Sequence, residues 1–135
     1  MVNFKKHILS FLVIVTLTIS SCEKFSGGDS ISGSWTCREE RGDSYRQYTV
    51  MIGRAGYGED TTLFIINNFH NIGFEYDTYV QLKDTVITLK YVTNGDFFVA
   101  GKGYVSRDLK SIRWNYSISG PKLSDSYIIA YYQRK

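Results

Sequence analysis

The 135-residue chain holds one proline, two cysteines and two histidines. Two cysteines cannot make a disulfide framework, and Cys22 and Cys37 have neither the partners of a zinc site nor CxxC spacing. Charge is also scarce in excess: 16 basic residues face 13 acidic ones. That balance implies neither nucleic acid nor an anionic surface as partner. No window of about a dozen residues carries a clean 3.6-residue apolar stripe, which argues against a helical body. No apolar run reaches the ~20 residues that a membrane-spanning helix requires. A chain of this length has room for one domain.

What is present begins at the N-terminus. Lys5 and Lys6 precede the apolar run Ile8 to Ile19, and Ser20-Ser21-Cys22 follows it. A basic start, an apolar core too short to span and small residues after it read as a secretory signal peptide. Leu17-Thr18-Ile19-Ser20-Ser21-Cys22 resembles the lipobox of bacterial lipoproteins. The resemblance implies cleavage before Cys22, acylation of its thiol and amino group, and durable anchoring by two or more acyl chains. The expected organisation is a signal peptide over 1–21, a lipid-anchored tether over 22–31 and a single barrel domain over 32–135. Glu23-Lys24 carries no clear sorting signal. The expected address is the cell envelope, with the outer membrane, on its periplasmic face or at the cell surface, foremost.

From Ile31 onward the pattern alternates with a period of two. Eleven tyrosines and abundant Thr, Ile and Val suit strands. Eight are expected, over 33–40, 45–52, 62–67, 77–82, 85–92, 97–104, 109–118 and 126–133. The seventh is the cleanest, with Ile112, Trp114, Tyr116 and Ile118 on one face and Ser111, Arg113, Asn115 and Ser117 on the other. In the fifth, Ile87, Leu89 and Tyr91 share a face. Asn94-Gly95 is a type I′ hairpin signal. Eight short strands joined by tight turns predict an all-β fold, an antiparallel up-and-down barrel, with a β-sandwich as the alternative.

Gly33-Ser34-Trp35 resembles the Gly-x-Trp opening of lipocalin-like (calycin-type) barrels. In those folds the tryptophan plugs one barrel end and an arginine from a late strand stacks on it. The resemblance therefore implies Gly33, Trp35 and an arginine, Arg113 or Arg134, as barrel-closing residues, Arg113 being the first choice. Asn67-Asn68-Phe69, Gly101-Lys102-Gly103 and the segment from Leu109 to Tyr116 extend the likeness to small lipocalin-like lipoproteins of Gram-negative gut bacteria. The chain is shorter than true lipocalins, which argues against a capacious cavity. That small family implies a fold and an address but no chemistry.

The residues suggest no catalysis. His7 lies in the signal segment, so His70 is the one histidine of the domain, expected to be a solvated loop residue. Glu39 and Glu40 are neighbours on a strand and point to opposite faces, unlike an acid–base pair. The run Gly53 to Gly58 lacks the lysine and helix of a phosphate loop, and no serine sits in a nucleophile elbow. Cys37 is expected to be a buried structural thiol. No metal, cofactor or catalytic residue is implied. The surplus feature is aromatic content, 16% of the chain. Exposed tyrosines can stack on ligands, although cross-strand pairing explains many of them in small sheets. The expectation is a non-catalytic module anchored to the membrane at Cys22. It would bind a small apolar or glycan ligand, or as the alternative dock an envelope protein through loops around Asn68 to Phe74.

Overall fold

The computed structural model describes residues 30–56 and 60–135. Residues 1–29, on which the expected signal peptide, Cys22 and most of the expected tether fall, lie outside the described residues, as do Tyr57 to Glu59 of the glycine-rich loop. The domain, Ile31–Lys135, is a closed eight-stranded barrel in sequential order. Its strands are β1 (Gly33–Arg41), β2 (Ser44–Arg54), β3 (Leu63–Asn67), β4 (Asp77–Lys83), β5 (Val86–Val92), β6 (Phe98–Val105), β7 (Ser111–Gly120) and β8 (Leu123–Arg134). Every neighbouring pair is antiparallel, and the barrel closes where β1 meets β8, from Trp35↔Arg134 to Glu39↔Ala130. Closure removes both sheet edges and rules out the sandwich.

Alternation builds the interior. On β7, Ile112, Trp114, Tyr116 and Ile118 are buried while Arg113 and Asn115 are exposed. One continuous cluster fills the barrel axis with side chains from all eight strands. Ring follows ring through it: Tyr132 to Trp114 at 5.6 Å, Trp114 to Phe69 at 5.6 Å and Phe69 to Tyr116 at 4.7 Å between centroids. Gly103 makes room for this stack, since a Cβ there would come within 2.9 Å of the Trp114 ring. Truncating a ring so enclosed costs about 3–5 kcal/mol.

Two bulges break the alternation. On β5, Tyr79 pairs with Tyr91 but Val80 pairs with Leu89, leaving Lys90 as an extra residue. Leu89 and Val92 both turn inward as a result, and Tyr91 is 55% exposed. Ile87 and Leu89 keep the shared face expected of them, and Tyr91 leaves it. Tyr91 instead stacks on Tyr79 outside the barrel, at 4.7 Å and 14°. On β8, Tyr116 pairs with Ile128 and Ile118 with Asp125, so Ser126 and Tyr127 together face Ser117. Asp125 and Ile128 thereby come to the same side of the strand.

The end where β1 begins is closed by Trp35, fully buried. Its indole Nε1 donates to the Ile31 carbonyl at 2.9 Å. Ile31, the last residue of the expected tether, is itself fully buried and packs in the core. The arginine over Trp35 is Arg134, its guanidinium carbon 4.5 Å from the ring centroid. Arg134 also donates from Nη1 to Ser32 O and from Nε to Leu109 O, both at 2.9 Å. Arg113 is exposed on the outer wall and closes nothing. It alternates with Trp114, so a strand that turns Trp114 inward must turn Arg113 outward. Gly33, at φ +134°, passes beneath the Arg134 guanidinium, where a Cβ would stand 3.2 Å from Nη1.

Candidate functional site

The opposite end of the barrel holds a buried polar cluster. Trp35, Cys37 and Glu39 share one face of β1, which carries the Glu39 carboxylate into the interior, where it is 1% exposed. An ionised group there requires partners. Arg46 Nη2 reaches both carboxylate oxygens, at 3.0 and 2.9 Å. Tyr48 donates its hydroxyl at 2.8 Å and Arg41 its Nε–H at 3.1 Å. Burial by itself would raise the Glu39 carboxyl. Hydrogen bonds from His70, Arg46 and Tyr48 outweigh that effect and hold it down at about 2. Burial pushes the Tyr48 and Tyr116 hydroxyls up, so both stay protonated as phenols.

His70 is 2% exposed, contrary to its expected place in a solvated loop. The loop between β3 and β4 folds over the barrel mouth and turns through a short 3₁₀ segment, Phe69–Asn71. Asn68, His70 and Asn71 adopt left-handed backbone angles, φ 62°, 53° and 57°. Asn and His are among the non-glycine residues that tolerate this region best. The Asn68 side chain fixes the turn, donating to Thr49 O at 2.8 Å and accepting from Gly73 N at 3.0 Å. Phe69 drops into the ring stack and His70 comes down beside it. Nδ1 of His70 then lies 2.7 Å from Tyr116 Oη and 3.2 Å from Glu39. Nε2 lies 3.0 Å from Asp125 Oδ2. The β8 bulge places Asp125 there. Arg46 completes the link with a 3.0 Å bond to the His70 carbonyl.

The cluster thus joins β1, β2, the β3–β4 loop, β7 and β8. Sequence reasoning found neither Asp125 nor the burial of His70. One signal was available: Glu39 has the parity of Trp35 and Cys37, and a carboxylate on a core face must have donors. Cys37 is a free, buried thiol that burial pushes up to about 12. It is therefore a thiol and not a nucleophilic thiolate at neutral pH. Both imidazole nitrogens of His70 are taken up by hydrogen bonds. Among the described residues no three His, Cys, Asp or Glu side chains are grouped to hold a metal ion.

Beside this cluster the mouth carries an open groove of about 400 Å³. Ile72, Tyr76, Phe97, Pro121 and Leu123 form its apolar lining, and Asp96 and Lys122 add one charge of each sign. Tyr76 packs edge-on against Phe97 at 5.1 Å. Ile72 and Leu123 each lie two residues from a member of the cluster, His70 and Asp125, so the groove is mounted on the fastened part of the mouth. Phe74, 54% exposed, is the surface aromatic of the Asn68–Phe74 segment. The aromatic surplus divides between uses: Tyr132 is core, Tyr79 pairs with Tyr91, and Tyr45 lies under the Arg38 guanidinium at 4.0 Å. The sequence matches no protein-family model and no curated protein.

Proposed function

We propose that the protein is a lipid-anchored, non-catalytic binding module of the bacterial cell envelope, which holds a small apolar ligand in the groove at its barrel mouth. The observation that carries this reading is the groove itself: five apolar side chains converge in a concave site with two charges to orient a ligand. The Lys5–Cys22 pattern supports the anchor. Gly33 and Trp35 in a closed barrel support kinship with lipocalin-like lipoproteins, and that kinship is what favours the outer membrane as the address. The filled interior turns attention to the mouth, because a ligand inside would have to displace Phe69 from between Trp114 and Tyr116. A non-catalytic role is supported by the polar cluster. A carboxylate held near 2 and saturated with donors is a poor base at neutral pH.

The second reading, an accessory protein that docks an envelope partner through the β3–β4 loop, draws on exposed Phe74. The two separate by experiment. Protein isolated from its own membranes with the anchor intact is expected to carry a small apolar molecule in native mass spectra, and Leu123→Arg to lose it. An adduct that persists in Leu123→Arg, or no adduct at all, contradicts the mouth-groove reading.

A further inference from the structure

Tyr127 stands in the left-handed region, φ 57°, with its side chain 90% exposed. Positive φ in a bulky residue is a genuine outlier; such outliers persist where the surrounding structure over-determines them, and they cluster at binding and catalytic sites. The bulge on β8 has its own structural reason, since it turns both Asp125 and Ile128 inward. It needs a left-handed residue but not a tyrosine. Glycine or asparagine would occupy the position with less strain. Among the described residues the Tyr127 side chain has no hydrogen bond, ring contact or ion pair, and at 90% exposure it buries little surface.

The tyrosine borders an open groove of about 400 Å³ on the outer wall across β6, β7 and β8. Small residues, Ala100 and Gly101, take part in its lining, together with Asn115, Ser117 and Ser126. The lining contains hydroxyls and an amide, which both donate and accept, and no charged side chain. An exposed aromatic ring beside neutral hydrogen-bonding groups matches a ligand with one apolar C–H face and a fringe of hydroxyls. We propose that this groove is a binding site for a neutral sugar ring, with Tyr127 as the stacking platform. The site is distinct from the mouth groove and stands or falls independently of it.

The test is saturation-transfer NMR on the full-length protein in detergent. Two neutral tetrasaccharides, maltotetraose and the tetramer of N-acetylglucosamine, distinguish a glucan source from an amino-sugar source. At least one should receive saturation at its ring C–H protons. Tyr127→Asn should weaken that binding about tenfold, the loss of one stacked ring. Tyr127→Phe, which keeps the ring, should bind like the parent. Because asparagine suits the left-handed bulge, Tyr127→Asn should unfold at the same temperature as the parent or a few degrees higher. Absence of transfer to either sugar at millimolar concentration overturns the proposal. So does undiminished binding in Tyr127→Asn, loss of binding in Tyr127→Phe, or a lowered unfolding temperature in Tyr127→Asn.

Discussion

Nε2 of His70 lies 3.0 Å from Asp125 Oδ2, a contact that fastens the β3–β4 loop to a strand from the far end of the chain. With Nδ1 held between Tyr116 and Glu39, the imidazole works as a latch over the barrel mouth. Phe69 is carried into the core by the same loop, so latch and ring stack support each other.

Removal of the imidazole tests that latch. His70→Ala is expected to lower stability by about 2–3 kcal/mol, from lost hydrogen bonds and an exposed, under-donated Glu39. Asp125→Asn, at a side chain 32% exposed, should cost about 1 kcal/mol. Denaturant unfolding measures both, and amide exchange over residues 68–76 should quicken more in His70→Ala.

Acid tests Glu39. Its folded-state carboxyl lies at about 2, below the ordinary 4.5. A depressed carboxyl contributes stability above its unfolded value and loses it as pH falls through the folded one. Stability should therefore decline between about pH 4.5 and pH 2 by roughly 3 kcal/mol from this group. Glu39→Gln should flatten that part of the pH profile while lowering stability at neutral pH. An unchanged profile in Glu39→Gln contradicts the assignment.

Arg134 and Arg113 test the closure of the other end. Arg134→Ala removes the cation–π contact and two backbone hydrogen bonds and should cost about 2 kcal/mol. Arg113→Ala, on the solvated wall, should stay within about 0.5 kcal/mol of the parent. Thermal unfolding of the two variants side by side decides it.

Cys22→Ser tests the proposed anchor. The variant is expected to leave the membrane fraction or to retain its uncleaved N-terminal segment. A variant that is still cut before residue 22 and still membrane-bound contradicts the lipoprotein reading.

Much of the barrel was legible in the sequence because strand faces are a local property. Ile112, Trp114, Tyr116 and Ile118 declare their face without reference to any other strand. The bulges were not legible, since Lys90 and Tyr127 become extra residues only relative to the register of a neighbouring strand. Tyr91 departs from the face of Ile87 and Leu89 for that reason. The choice between Arg113 and Arg134 was legible in the alternation that set Arg113 opposite Trp114. The polar cluster was only half legible: Glu39 has core parity, but its partners come from β2, β7, β8 and a loop whose left-handed turns bring His70 inward. Asp125 meets His70 only after a bulge that no local pattern announces.

A small apolar ligand in the mouth groove, as proposed, is detected by amide shift mapping. N-phenyl-1-naphthylamine, titrated into isotope-labelled protein, should produce saturable shifts at Ile72, Phe97 and Leu123 while the Trp114 indole and Phe69 resonances stay in place. Shifts centred on Trp114 and Phe69, or no saturable shift at the mouth, would overturn the mouth-groove proposal.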